Sequence, residues 1–359
     1  MIAMSDDASP FFSVLLPTKN RAEILADAIR SVMAQTCEDW ELVISDNSDP
    51  GQGAEAVVAE FDDPRIRCLR TAGDLPMHDN WENAFVRARG DYVLMVEDKM
   101  RLVPNALEIL RTHIEKLGSV VVSYDVRFAK GDAIPAPRGL PAAVRWTSAD
   151  TVALFRKFQQ RFFNLLPKGL DSAAPRELLQ SIKDGSPTGY IFSHVAPDYA
   201  SGFQVLSAVD EFWYIDEPLA YIPNNWMWRG KYSVGSSNYK KEDMAARWKR
   251  ELPVTTEQIY EHAPAKSRWL WINNVLYDYH TKYRPAQDHP PISPVDYFAF
   301  CWIVILMGRR LGADMVEERR AVREGMRKET VVARLRVWLN LGARLMHIAL
   351  RMVASMFRR

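Results

Sequence analysis

The feature that most constrains this chain is the alternation of short apolar runs with amphipathic stretches over residues 11–125. FFSVLLP (11–17) is apolar and stopped by proline, which predicts a buried strand. NRAEILADAIRSVMAQ (20–35) sets Ile24, Leu25, Ala28, Ile29, Val32 and Met33 at helical spacing, and Asn20 with Glu23 has the form of a capping box. WELVISD (40–46) predicts a strand, GAEAVVAEF (53–61) a helix and IRCLR (66–70) a strand. MHDNWENAFVRARG (77–90) predicts a helix ending at Gly90, and DYVLMVE continues as a strand. NALEILRTHIEKLG (105–118) then predicts a helix closed by glycine, and SVVVSYD (119–125) a further strand. This order predicts an α/β fold, a doubly wound and mostly parallel sheet flanked by helices.

Ligands of such sheets bind beyond the carboxyl ends of the strands. Those ends carry Pro17-Thr18, Asp46-Asn47 and Glu97-Asp98-Lys99, so three strand ends are expected to converge on one polar site.

Beyond residue 125 the alternation weakens. Residues 130–141 predict a loop, 151–182 a helical region, 188–209 a loop leading into a helix, and 212–222 strand broken by a turn at Pro218. Residues 224–241 form a polar, aromatic, glycine-containing stretch, and helices predominate after Lys241.

Charge separates the two ends of the chain. From Phe300 onward there are 13 Lys/Arg against 5 Asp/Glu, a balance of +8; the net charge of +1 therefore leaves −7 on the first 299 residues. The apolar run 297–308 has only 12 residues, against the ~20 a membrane span needs, so a buried or interfacial helix is expected. Residues 331–359 combine many apolar side chains with six arginines and no acid. That pattern suits a helix lying in a headgroup layer; packing on the body or on a second copy are the alternatives. Three widely spaced cysteines, Cys37, Cys68 and Cys301, suggest no disulfide framework and point to a reducing compartment. Met1 to Pro10 is polar and acidic and does not read as a secretory signal.

The stretch SVLLPTKNRAEILADAIRSVMAQTCEDWELVISDNS (13–48) resembles the opening of family 2 glycosyltransferases, which have the GT-A fold. Pro17, Thr18, Asn20, Arg21, Ser31, Gln35, Thr36 and Asp46 stand where that family has its turn, its helix ending and its acidic strand end. NWENAFVRARGDYVLMVED (80–98) is similar to the helix, glycine and strand that lead to the family's Asp-x-Asp motif. The resemblance implies transfer of a sugar from a nucleotide diphosphate sugar, with inversion, to a glycan or lipid-linked acceptor. It implies that Pro17, Thr18, Arg21, Asp46, Glu97 and Asp98 hold the donor. For Asp46, Asn47 and Ser48 the alternative is an Asx-type turn satisfying its own backbone.

One position departs from the family. Where the pattern has Asp-x-Asp, this chain has Glu97-Asp98-Lys99. The family's acids hold a divalent cation, Mg²⁺ or Mn²⁺, that neutralises the leaving diphosphate. Either Asp98, with or without Glu97, holds such a metal while Lys99 points aside, or Lys99 itself supplies the positive charge and no metal is needed. A third possibility is a plain salt bridge at a degenerate site, which would leave a non-catalytic nucleotide-sugar-binding or scaffold protein.

An inverting transfer needs a base to take the acceptor's proton. The family's placement points to Asp198, at the start of a predicted helix whose N-terminus would favour an ionised carboxylate; an N-cap is the bland alternative. His194 is an alternative base, a phosphate ligand or a satisfied core histidine, and a lone histidine favours the last. Trp226, Trp228 and Arg229 sit in the loop 226–238, suited to stacking on a sugar and meeting phosphate; a rigid surface loop packed on the helical extension is the alternative. A nucleotidyltransferase shares this sheet but carries a glycine-rich basic loop after the first strand, which is missing here. The expected division is a GT-A domain at 8–240 and a helical extension at 241–359. Nucleic acid is not an expected partner; the expected location is cytoplasmic, with the C-terminal helix attaching to the inner membrane face.

Overall fold

Strand β1, Phe12–Thr18, is buried along all seven residues, as befits a strand inside a parallel sheet covered on both faces. The computed structural model describes residues 9–129, 137, 139–158, 165–186, 188–192, 197–223, 262–267, 274, 277, 292–310 and 314–356. The chain divides into Met1–Thr151 with Asn164–Val234, and Val152–Phe163 with Gly235–Arg359.

In the first unit, β1 is followed by α1 (Ala22–Met33), β2 (Trp40–Asp46), α2 (Glu55–Val58), β3 (Ile66–Arg70), α3 (Met77–Phe85) and β4 (Tyr92–Met95). Then come β5 (Arg101–Leu102), α4 (Ala106–Leu117), β6 (Val122–Ala129), β7 (Ala143–Thr147) and α5 (Ser148–Arg156), whose residues from Val152 on belong to the second unit. The unit ends with β8 (Ser172–Pro175), α6 (Arg176–Gly185), α7 (Pro197–Ala208) and β9 (Glu211–Pro223). The strand order is β3-β2-β1-β4-β8-β6-β9-β5, with β7 pairing β9. Pairs β1–β2, β2–β3 and β1–β4 are parallel. The chain thus winds from β1 toward β3 on one side and returns to place β4 on the other. That reversal opens the crevice between β1 and β4, where doubly wound sheets bind ligands.

Ile24, Leu25, Ala28, Ile29 and Val32 form the buried stripe of α1, matching the spacing in the sequence. Gly118 ends α4 at φ 87°, a left-handed conformation that favours glycine.

Several elements differ from the sequence expectation. Asn20 does not cap α1. It takes φ 55°, and its side chain exchanges hydrogen bonds with Asp49, whose backbone N–H and carboxylate offer a better-matched pair. The helix expected over 53–61 is a single turn, Glu55–Val58, because the Ala54 N–H is drawn to the Asp46 carboxylate and the chain must return to β3. Helix α3 stops at Phe85; Arg87 and Ala88 bond back three residues, the tight closure typical of a last turn. The helical region expected over 151–182 is interrupted by β8. Its sequence, SAAP, has no periodicity of its own; it is buried and pairs antiparallel with both β4 and β6. Residues 212–222 lie within one strand, with a register shift where Asp125 meets Pro218, a residue that has no N–H to give the ladder.

The second unit contains α8 (Pro294–Arg310), α9 (Val316–Arg327) and α10 (Val331–Met356). Tyr297, Phe298, Cys301 and Ile305 of α8 are fully buried. Trp302 donates its indole N–H to the Met326 sulfur at 3.3 Å and stacks obliquely on Trp338, so α8 carries both following helices. No helix among the described residues is long and apolar enough to cross a membrane.

Candidate active site

Register builds the site. Thr18 pairs with Asp46 across β1–β2, and Asp46 pairs with Arg70 across β2–β3. Leu15 pairs with Met95 across β1–β4, so three residues further on Thr18 and Asp98 come level. The Thr18 hydroxyl donates to Asp98 Oδ2 at 2.9 Å, and Arg21 donates to Asp98 Oδ1 at 2.8 Å. Both oxygens of this buried carboxylate are therefore engaged at the crevice. Pro17 lies one residue before, opposite Ser45.

Asp46 is fully buried. Its Oδ1 accepts from the Ser48 N–H and hydroxyl, and its Oδ2 accepts from the Ala54 N–H and Arg70. The bond from Ser48 N–H is the Asx-type turn. Burial alone would raise this carboxyl's pKa, but the bonds from Ser48, Ala54 and Arg70 hold it below the usual range. Four donors fill the acceptor positions of one carboxylate, so Asp46 shapes the wall at the carboxyl end of β2 and orients Arg70. Gly53 leaves room for this contact: a Cβ there would come within 2.5 Å of the Arg70 guanidinium and 3.0 Å of Asp46, so the arginine would have to shift. Asn47 ties the wall to the next loop, accepting from Thr71 and the Leu75 N–H. Asn80 on α3 braces it from below, accepting from Ser45 and donating to the Thr18 carbonyl.

Beyond β4, the Glu97 carbonyl accepts the Met100 N–H at 2.8 Å, closing a tight turn. Lys99 thereby folds back on Glu97, with its ammonium 3.0 Å from the carboxylate. A hard divalent ion needs several oxygen ligands free to turn toward it. Here Asp98 is paired with Arg21, Glu97 with Lys99, and the third motif position is itself a cation. No group of three His, Cys, Asp or Glu suited to a metal occurs among the described residues. As arranged, these side chains do not fit Mg²⁺ or Mn²⁺.

Asp198 lies inside the first turn of α7, after Pro197. The helix N-terminus does not keep it at an ordinary pKa. Burial raises it and Glu97 adds to the rise, while Lys168 and the local amides only partly oppose them. Lys168 forms an ion pair with Asp171 at 2.8 Å and lies over the Tyr199 ring. Burial pushes Asp171 up to about 7, against the pull of Lys168. Burial disfavours the Lys168 ammonium, but Asp171, Tyr199 and Asp198 together keep its pKa raised, so it stays charged. This cluster borders β4, because the Met95 N–H donates to the Gly169 carbonyl at 2.9 Å.

The structure therefore gathers Pro17, Thr18, Arg21, Asp46 and Asp98 around one crevice, puts Glu97 and Lys99 on the turn beyond it, and sets Asp198 within electrostatic reach of Glu97. His194, Trp226, Trp228 and Arg229 lie outside the described residues. Sequence reasoning missed Arg70, Lys168 and Asp171. Arg70 could have been found by carrying the strand-end register one strand further. Lys168 and Asp171 carried no signal beyond the proline and glycine around them.

Residues 13–173 match the family model Glycosyl transferase family 2. An Escherichia coli (strain K12) protein provisionally named colanic acid biosynthesis glycosyl transferase WcaA is 27% identical over 135 residues, 37% of this chain and 48% of that protein. A Campylobacter jejuni GalNAc(5)-diNAcBac-PP-undecaprenol beta-1,3-glucosyltransferase is 27% identical over 169 residues, 45% of this chain and 53% of that protein. The chain spans about half the length of these curated relatives. Among solved structures, S. aureus TarS 1-349 superimposes with a TM-score of 0.51 at 13% identity, over 89% of this chain and 92% of that one.

Proposed function

We propose, for a chain that carries a family 2 glycosyltransferase domain of GT-A fold at residues 13–173, that it moves a sugar from a nucleotide diphosphate sugar to a hydroxyl of a glycan or lipid-linked acceptor, with inversion. The carrying observation is the bridged crevice at the β1–β4 reversal, where Thr18 and Arg21 both hold Asp98. A nucleoside sits against Pro17-Thr18 and the wall organised by Asp46. Glu97 and Asp98 border the donor's ribose and diphosphate.

In the transfer the acceptor oxygen forms a bond to the anomeric carbon while the bond from that carbon to the diphosphate oxygen breaks. The acceptor's proton passes to the Asp198 carboxylate, whose raised pKa makes it a stronger base than a solvated aspartate. The diphosphate departs carrying the electron pair and competes with Glu97 for the Lys99 ammonium, whose charge stabilises it. The route is metal-independent, since the acids that would hold a metal are already paired. Residues 8–240 are the transferring domain, and His194, Trp226, Trp228 and Arg229, which lie outside the described residues, are assigned to the acceptor by their side-chain chemistry alone. Residues 241–359 are the extension that places the protein on the cytoplasmic face of the membrane, beside a lipid-linked acceptor.

The test is turnover of UDP, GDP and dTDP sugars with and without EDTA. UDP sugars come first, because TarS 1-349 was crystallised with UDP. Turnover that survives EDTA and falls about a hundredfold to ten-thousandfold in Asp198→Asn, with nucleotide binding retained, supports the scheme. Failure to bind any nucleotide rejects it, and full activity of Asp198→Asn removes the base.

A further inference from the structure

Helix α10 turns a wide apolar face to solvent. Val331, Leu335, Trp338, Leu339, Met346 and Leu350 fall on one side by helical spacing, and Leu339 is 74% and Leu335 61% exposed. The opposite side holds the helix to its own unit. Val337 and Leu341 are buried, and Asp296 accepts from both Arg344, at 2.7 Å, and Asn340, at 3.0 Å. Arg344 is thus a structural anchor of α10. Arg334 and Arg336 flank the exposed face by helical spacing, and residues 331–359 contain no acid.

Helix α9 supplies a second feature. Arg319, Arg320, Arg323 and Arg327 line a groove of ≈ 340 Å³ with Val316 and Glu324. None of the four guanidinium groups makes an ion pair or side-chain hydrogen bond among the described residues. Like charges three and four residues apart on one helix repel. A helix that keeps four of them unpaired is suited to an external anion.

We propose that the second unit docks on an anionic phospholipid surface, α10 sinking its apolar face among the acyl chains and the α9 arginines meeting headgroup phosphates. This deepens the membrane placement stated above and rests on it, but it does not depend on the transfer chemistry. Charge selects the occupant. A second copy seated on α10 would set arginine-edged, acid-free faces together, whereas an anionic leaflet neutralises both the edges and the groove. The helix lies in the surface and does not cross it.

The experiment is co-sedimentation of the full chain with vesicles of phosphatidylcholine alone or mixed equally with phosphatidylglycerol. Binding to the mixed vesicles and not to the neutral ones is expected. Arg320→Gln, Arg323→Gln and Arg327→Gln should each weaken it about fivefold at low salt. Leu335→Gln with Leu339→Gln should abolish it; both side chains are exposed, and circular dichroism checks that the helices persist. Equal binding to neutral vesicles, or binding indifferent to the arginine variants, overturns the proposal. So does a dimer in sedimentation equilibrium that the leucine variant dissociates. Turnover of a soluble donor, followed in the same samples, should be unchanged by every variant. Failure of the unsubstituted chain to bind the mixed vesicles while it still turns over donor refutes this inference alone; vesicle binding without any turnover or nucleotide binding refutes only the transferase reading.

Discussion

Thr18 and Asp98 meet across the β1–β4 crevice, hydroxyl to carboxylate at 2.9 Å, although 80 positions separate them in the chain. Arg21 closes the same carboxylate from the other oxygen. The site is thus held by a three-residue bridge at the point where the sheet reverses its winding.

Asp98→Asn is expected to cost stability as well as activity. It removes the carboxylate charge that pairs with the largely buried Arg21, and breaking such a pair costs roughly 3 kcal/mol. Urea unfolding should show a lowered midpoint with unchanged slope. Thr18→Val, which removes one neutral donor to the same carboxylate, should cost about 1–2 kcal/mol. Equal stability of all three proteins would mean that the bridge is not formed in solution.

Lys99→Met removes the cation assigned to the leaving group. The expected result is a kcat lower by about a hundredfold to a thousandfold, with nucleotide affinity changed much less. Added Mg²⁺ should not restore the rate. Rescue by Mg²⁺ would show that Glu97, released from its ion pair, joins Asp98 in holding a metal.

The base must be ionised to work. Because burial raises the Asp198 pKa, kcat/KM should fall on the acid side at a pH above the ordinary aspartate range. Lys168 opposes that rise, so Lys168→Met should move the acid limb to still higher pH while leaving the plateau rate nearly intact. An unmoved limb would detach Lys168 from the base. A plateau lost at every pH would make Lys168 purely structural.

Asp46 has a folded pKa below its unfolded one. Its contribution to stability is therefore present above the unfolded value, near 3.8, and is lost as pH falls through the lower folded value. Asp46→Asn should cost roughly 2–3 kcal/mol at neutral pH, discounted because the Arg70 side chain is 32% exposed, and should flatten stability against pH below about 4. Thermal melts from pH 3 to pH 7 would check both; a mutant with the parent's acid dependence would refute the assignment.

The sequence alone determined the first four strands and the helices α1 and α4, because their hydrophobic periods and turn residues are local. It also placed Pro17, Thr18, Asp46 and Glu97-Asp98-Lys99 at strand ends, since a strand's end is visible where its apolar run stops. Tertiary structure decided which ends face one another, and so which charges pair. Arg21 could be listed in advance, but not its seat on Asp98. Arg70 reached Asp46 only through the β2–β3 register, and β8 is a strand because β4 and β6 each offer it an antiparallel ladder. Lys168 and Asp171, three residues apart, met Asp198 only because folding brought a separate helix to them. The pKa of a carboxylate depends on such neighbours and on lost water, and no run of adjacent residues encodes either.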